Sequence, residues 1–207
     1  RDDQEAEEKG EDAMNNPPDD RFKAGVLKWH QWLTGEKPKT GEEPESAPDT
    51  EAPPPRKRRQ DTSAWPAMRR CRTVADALLA PPFPYFVRCV LPDETERTAF
   101  IGSPRNLARL ARAAIAVGHV ETADTRVSFP HQMAADNRGR PRVSRAVAHG
   151  LFNTEDPDEA LHHTLQILGI LNRSVNIADL ARGMAWWPGS RTEWAYRYND
   201  EILANGR

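Results

Sequence analysis

One stretch of the sequence carries arginines at a spacing that would suit phosphate binding. Arg105, Arg109 and Arg112 fall within about 60 degrees of one another on a helix that turns 100 degrees per residue. Leu107 and Leu110 lie on the opposite side of that helix. A solvated helix usually mixes charges of both signs, because like charges three or four residues apart repel. Since a guanidinium group stays charged and donates two parallel hydrogen bonds, this face favours phosphates.

Arginine is also abundant around this helix. Between residues 97 and 145 there are nine arginines and three acidic residues, which gives a net charge of +6. Arg69, Arg70 and Arg72 form a second cluster closer to the N-terminus. The alternative interpretation is that arginine replaces lysine throughout an Arg-rich and Ala-rich chain, and that these side chains pair with acids of the same fold. The composition leaves both interpretations open.

The sequence contains no familiar catalytic or metal-binding pattern. His162 and His163 are adjacent on a predicted helix, so they point about 100 degrees apart and cannot chelate one ion. There is no P-loop, dinucleotide glycine pattern, metalloprotease motif or nucleophile elbow. We therefore expect no catalytic residue, no metal site and no cofactor, and a protein that binds rather than turns over a substrate.

Two further features bear on where the protein works. The two cysteines, Cys71 and Cys89, are too few for a disulfide scaffold and lack zinc-site spacing, so we expect buried thiols in a reducing compartment. No uninterrupted apolar run approaches the roughly 18 residues of a membrane span. We expect a cytoplasmic protein that does not contact membranes.

The 207 residues divide into four segments of unlike composition. Residues 1–20 carry a net charge of -7 and three apolar residues, which predicts a disordered acidic leader. Residues 36–60 contain six prolines and end in the basic run at 56–59, which predicts a charged, proline-rich linker. That run could instead serve as a nuclear localisation signal or a nucleic-acid tether. Residues 21–35 predict a single helix, and residues 61–207 predict a helical body.

Helical periodicity and capping signals recur along the ordered segments. Apolar residues at spacings of four, three and four place one side of the first helix against the body, and Gly35 can end it. Thr73 and Asp76 predict a capping box at the start of a short helix. Ser103 and Gly118 predict the two ends of the arginine-bearing helix. Other predicted starts are Ser128, a position near Val143, and Asp156, Asn176 and Ser190, of which the last three show the capping-box pattern.

These signals predict an all-α fold, either one compact helical bundle or two small ones. No convincing alternation of apolar and polar residues predicts a strand. Pro188 and Gly189 separate the last two predicted helices, which we expect to form an antiparallel hairpin.

The C-terminal region resembles a known family. Residues 175–182, running into Ala185-Trp186-Trp187 and then into residues 194–198, are similar to the end of the CasB family. These proteins are the small subunits of Cascade, the type I-E CRISPR surveillance complex. The first helix, the Met68-Arg69-Arg70 element and residues 144–147 agree in order and spacing. The resemblance covers residues 21–35 and 61–207.

The resemblance implies an all-helical, non-enzymatic subunit that acts in antiviral defence. It implies contacts with the backbone and large subunits of Cascade, a second copy of this chain, the guide RNA and the target DNA. It also implies that the chain helps to hold the R-loop and its displaced strand. By position, Arg70 and Arg145 match basic residues that face nucleic acid in the family, and Arg191 matches the basic turn after the double tryptophan. The charge argument adds Arg69, Arg105, Arg109 and Arg112 as nucleic-acid-binding candidates.

Two other functions stay open from the residues alone. The chain could be a protein-interaction scaffold whose arginines contact acidic surfaces of neighbouring subunits. It could also be a hydrolase with an unfamiliar site. The sequence departs from the family at Leu165 and Gln166, which stand where members commonly carry a basic pair, and in the long acidic and proline-rich insertion before Arg69.

Overall fold

The computed structural model describes residues 19–35, 64–135, 137 and 140–205. The linker at 36–60 and residues 1–18 of the acidic leader lie outside these described residues. Within them the chain forms eleven helices and one two-stranded parallel sheet, so the all-α prediction is confirmed. The elements are α1 (Asp19–Thr34), α2 (Ala64–Arg70), α3 (Val74–Leu79), α4 (Phe83–Val90), α5 (Glu94–Ile101), α6 (Pro104–Gly118), β1 (Thr122–Ala123), α7 (Phe129–Ala134), α8 (Arg145–Asn153), α9 (Pro157–Ile170), β2 (Ser174–Val175), α10 (Ile177–Ala185) and α11 (Arg191–Ala204).

Helix α6 is the centre of the fold. Its last turns, residues 113–118, are buried on every side beneath α1, α2, α3, α9 and α10. Ala111, Ala113, Ala114 and Ala116 are small, so the surrounding helices approach this half of α6 closely. The first half of α6 reaches the surface and carries the predicted arginine face. One helix therefore joins the core to a candidate binding surface.

Helix α1 packs on α4 and α10, as its apolar spacing predicts. Trp29 is fully buried, and its indole Nε1 donates to the carbonyl oxygen of Pro82 at 3.2 Å. Gly25 brings α1 against the backbone of α4 at Cys89. The helix begins at Asp19, two residues before the predicted boundary, and ends at Gly35, whose φ of 75° lies in the left-handed region.

The last two helices do not form the predicted hairpin. Helix α10 packs mainly on α6 and α1, whereas α11 packs mainly on α7 and α8. The prediction of close packing along their length is wrong: α10 and α11 meet locally, where Trp194 lies against Gly183 and Arg197 Nη1 is 3.9 Å from Asp179 Oδ1, while most of each apolar face has other partners. Trp194 of α11 stacks at 5.0 Å, ring centre to ring centre, on Phe129 of α7. Tyr198 donates to the carbonyl oxygen of Val143 at 2.8 Å, which ties α11 to the segment before α8.

Most of the predicted caps are present. The Thr73–Asp76 capping box is complete, and Ser144, Asp156 and Asn176 each accept a backbone hydrogen bond in the first turn of their helices. Asp156 and Asn176 cap their helices without the reciprocal half of the predicted box, since their own N–H groups donate elsewhere. Ser190 forms no box either, because its hydroxyl donates to the carbonyl oxygen of Gly183 at 2.6 Å.

Helices α2 and α5 and the two strands are absent from the sequence prediction. Helix α5 buries only Phe100, so no apolar periodicity in the sequence predicts it. Asp93 caps this helix by accepting from the Glu96 N–H at 2.8 Å. Strands β1 and β2 pair in parallel, Thr122 with Ser174, and two-residue strands are too short to show alternation. This pairing holds the end of α6 beside the end of α9.

Candidate nucleic-acid interface

The seven predicted arginines lie in separate parts of the surface and do not converge on one site. Arg69 and Arg70 end α2, which sits at the C-terminal end of α6 because Trp65 Nε1 donates to the Gly118 carbonyl oxygen at 3.2 Å. The arginines of α6 begin at Arg105, which lies about 20 Å from Gly118 along the axis of that helix. The remaining two, on α8 and α11, are Arg145 and Arg191.

The arginines of α6 differ in how much they are exposed. Arg105 is exposed, and Arg109 is half-buried and donates to Asn106 Oδ1 at 3.3 Å. Only 14% of the Arg112 side chain is exposed, and its Nε donates to Asp158 Oδ1 of α9 at 2.7 Å. The alternative that these arginines pair with acids of the same fold therefore applies to Arg112.

Two other candidates also lie beside carboxylates. Arg191 Nη2 is 3.1 Å from Glu155 Oε1. Arg69 Nη1 is 3.2 Å from Glu121 Oε1, and its guanidinium lies 5.0 Å above the Trp65 ring. Ion pairs of this kind at the surface are worth about 0–1 kcal/mol, since solvent screens both partners. A phosphate can therefore replace the carboxylate at little cost.

Arg70 and Arg145 are the two candidates that are exposed and lie at ion-pairing distance from no carboxylate of the described residues. Arg145 is the first residue of α8, directly after the N-cap Ser144. It lies near Tyr198, where burial raises the pKa of the phenol and the charge of Arg145 opposes that rise. These two side chains keep their full charge available to an external anion.

The structure adds two arginines that sequence reasoning missed as members of the site. Arg72 and Arg173 line a cleft of about 290 Å³ together with His119, His162 and Gln166. The chain reverses after α9 to bring Arg173 to this place, with Asn172 and Arg173 both in left-handed conformation. No spacing in the sequence links Arg173 to Arg72, because the two positions meet only through the β1–β2 pairing.

The titratable groups near these arginines have pKa shifts that burial and helix capping explain. Burial lowers the pKa of His119, and the neighbouring Arg72 and Arg69 lower it further, so this imidazole is neutral at physiological pH. Backbone hydrogen bonds lower the pKa of Asp156, as expected for a helix cap. Cys71 and Cys89 are free and buried, as predicted, and burial raises the pKa of both thiols.

In residues 19–35, 64–135, 137 and 140–205, no group of three or more His, Cys, Asp or Glu side chains is placed to hold a metal ion. None of the described helices has the length and apolar character needed to cross a membrane.

Comparison with known protein families identifies the family of this chain. The family model described as CRISPR-associated protein Cse2 matches residues 65–198, from the first turn of α2 to Tyr198 of α11. The chain belongs to the Cse2 family. Cse2 and CasB are two names for this family, so the resemblance noted in the sequence is confirmed, and the chain is a CRISPR-associated subunit of Cascade. Searches of curated proteins and of solved structures found no match.

The Cse2 match covers the body of the fold and leaves out α1. Helix α1 nevertheless packs on α4 and α10, which are both inside the matched region. All seven candidate arginines lie within the matched residues, as do Arg72 and Arg173.

Proposed function

We propose that this Cse2-family chain is a non-catalytic, cytoplasmic small subunit of the type I-E surveillance complex that binds DNA phosphates. It stabilises the R-loop and the displaced strand, while pairing with the guide RNA supplies sequence choice. Its partners in this role are the backbone and large subunits, a second copy of itself, the guide RNA and the target DNA. The observation that carries the proposal is the exposure of Arg70 and Arg145 without a carboxylate partner in the described part of a Cse2-family chain.

The energetics of the R-loop make a few such contacts sufficient. The RNA–DNA hybrid is about as stable as the DNA duplex that it replaces, so opening is nearly balanced. A hydrogen bond to a charged group contributes about 1.5–3 kcal/mol, so two or three phosphate contacts decide whether the open state persists. With about four to six contacts, the logarithm of affinity should fall with the logarithm of salt concentration at a slope near -3 to -5.

The candidate arginines differ in whether they must give up a carboxylate partner to bind phosphate. Arg70 and Arg145 contact phosphate without losing another partner. Arg105 and Arg109 extend the basic surface along α6. The remaining three exchange a carboxylate for a phosphate when DNA binds; they are Arg69, Arg112 and Arg191.

The test replaces the two unpaired arginines in the assembled complex. Arg70→Ala combined with Arg145→Ala should shorten the lifetime of the R-loop by about tenfold or more, because two charge-assisted contacts are lost. The matched control is Arg21→Ala with Arg126→Ala, which removes the same charge from two side chains that pair with Glu96 and Asp124. R-loop lifetime is measured by dissociation of labelled target DNA after competitor is added. Equal lifetimes for both double variants would contradict the proposal.

A second candidate function is the protein-interaction scaffold. Three of the arginines already hold carboxylates, which is how they would bind acidic surfaces of neighbouring subunits. In that case the Arg70/Arg145 variant should fail to enter the complex before any DNA is added, as seen by size-exclusion chromatography. Substituting all three α6 arginines by glutamate is a poor test, because Arg112→Glu would face Asp158 and destabilise the fold by itself.

A further inference from the structure

The Arg72–Arg173 cleft, defined by residues Arg72, His119, His162, Gln166 and Arg173, lies where the ends of α6 and α9 meet. Leu165 and Leu168 of α9 also line it. At about 290 Å³ it is close to the small end of ligand sites in proteins. The cleft therefore combines two guanidiniums with apolar side chains in its lining.

The positive charge of this cleft is not balanced by the acids around it. Glu121 Oε1 is shared by Arg69 Nη1 at 3.2 Å and Arg173 Nη1 at 3.5 Å. With Arg72 included, three guanidiniums face one side-chain carboxylate. Asp76 accepts from the backbone N–H of Arg72 and Thr73, so its carboxylate is engaged in capping α3. The acids of the described residues therefore leave this group of guanidiniums with a net positive charge, which favours an anion.

The neighbour of Arg72 inside the cleft is a neutral imidazole. Arg72 Nη1 lies 2.8 Å from His119 Nε2, and the same ring nitrogen lies 3.1 Å from the carbonyl oxygen of Cys71. One ring nitrogen cannot donate to the carbonyl and accept from the guanidinium at once, so only one of these contacts is a hydrogen bond in a given tautomer. Arg72 consequently retains donors and charge for an external acceptor.

The backbone holds Arg173 in an uncommon conformation to reach this place. Asn172 has a φ of 54° and Arg173 a φ of 55°, and non-glycine residues in this region cost roughly 1 kcal/mol each or more. The Arg173 N–H donates to the Leu168 carbonyl at 2.8 Å, and its own carbonyl accepts from the Glu121 N–H at 2.8 Å. Strain that is held in place by the fold is found most often at functional sites.

We propose that the Arg72–Arg173 cleft binds one phosphate of a single-stranded nucleic acid, with the two guanidiniums donating to its oxygens. A flexible single strand can bring one phosphate into a concave site and lay its adjacent sugar and base on Leu165, whereas duplex phosphates lie on a convex surface. This inference rests on the proposed function, and it adds Arg72 and Arg173 to the residues that bind DNA.

The test measures binding of a labelled oligothymidine to the full-length chain by fluorescence anisotropy. The variant is Arg72→Gln with Arg173→Asn, since asparagine tolerates the left-handed conformation better than most residues. The control is Arg21→Gln with Arg126→Gln, which removes the same charge elsewhere. The cleft variant should lose about tenfold or more in affinity, and the salt slope should fall by about 0.7, since one single-strand phosphate is no longer neutralised. The control should stay within about twofold.

A second variant covers the case in which the double substitution unfolds the chain. Gln166 is exposed on α9 at the rim of the cleft, so Gln166→Glu places a negative charge there without disturbing the core. It should also weaken binding, whereas Asn199→Asp on the exposed surface of α11 should not. Circular dichroism confirms that each variant is folded.

The outcomes separate this inference from the proposed function. If the wild-type chain binds the oligonucleotide and only Arg70/Arg145 substitution weakens it, the cleft inference is overturned and the proposed function stands. An equal loss for duplex and single strand in the cleft variant would overturn the choice of a single strand. A wild-type chain that binds neither would overturn both proposals.

Discussion

Individual arginines on this chain are already held by acids that a phosphate would have to replace. Arg112 is the clearest case, because its guanidinium lies against Asp158 at 2.7 Å while 66% of the Asp158 side chain is exposed. The carboxylate keeps Arg112 oriented and lowers the net positive charge that approaching DNA meets. Under the proposed function, such a pair would compete with the nucleic acid for Arg112.

Removing that competitor should strengthen DNA binding. We expect Asp158→Asn to raise affinity by about twofold to fivefold, since a surface ion pair is worth up to about 1 kcal/mol. The measurement is anisotropy with labelled DNA at low and high salt. Asp200→Asn, an exposed aspartate of α11, is the matched control for the change in charge. A gain of the same size in both variants would show that net charge, and not the Arg112 pair, is responsible.

At the scale of elements, the docking of α1 depends on one close approach. A Cβ added at Gly25 would lie 2.3 Å from the carbonyl oxygen of Cys89 and 2.7 Å from Val90 Cα. These are backbone atoms of α4, so they cannot turn aside as the end of a flexible side chain could. Because α1 also covers α6 and α10, its position affects the centre of the fold.

Alanine at this position should therefore destabilise the protein. We expect Gly25→Ala to lower the free energy of unfolding by about 1–3 kcal/mol or more, because backbone must shift. Gly169→Ala in α9 is the control: an added Cβ there meets nothing within 4 Å, and alanine should raise stability by roughly 0.5 kcal/mol. Urea unfolding followed by circular dichroism measures both. Equal stability of the Gly25 variant and the wild type would show that α1 is not seated on α4.

The elements also show what the sequence could predict. The Thr73–Asp76 box and the span from Ser103 to Gly118 depend on residues close in sequence, and both are confirmed. The pairing of Arg112 with Asp158 depends on where α9 packs, and no local sequence pattern predicts that packing. For the same reason the Arg72–Arg173 cleft is invisible in the sequence, since β1 and β2 bring its two sides together.

For the whole molecule, the distribution of charge matters more than its total. The chain has a net charge of -2, but residues 1–18 carry seven acids and two bases, so the rest has a net charge of +3. All the candidate arginines belong to that positive remainder. Exposed charges act over about 8 Å at physiological salt, so under the proposed function we expect this acidic segment to affect the approach of DNA.

Removing residues 1–18 should therefore increase DNA affinity. We expect a gain of about threefold or more at low salt that shrinks as salt is added, because screening removes long-range repulsion. The deletion stops before Asp19, whose carboxylate pairs with Arg182 of α10. A full-length chain with the acids of residues 1–18 changed to their amides should match the deletion. If it instead matches the wild type, the effect comes from the segment itself and not from its charge.

The division of α6 into an alanine-rich buried half and an exposed arginine half sets the limits within which this protein can evolve. Any larger residue in the buried turns would push several neighbouring helices apart at once, so those positions tolerate little change. Only the exposed positions of the first two turns escape this restriction, since Asn106 and Leu110 there are buried as well. Basic residues can therefore be gained, lost or moved there from one homologue to the next while the fold persists, and partner preference can diverge at one end of a helix whose other end cannot vary.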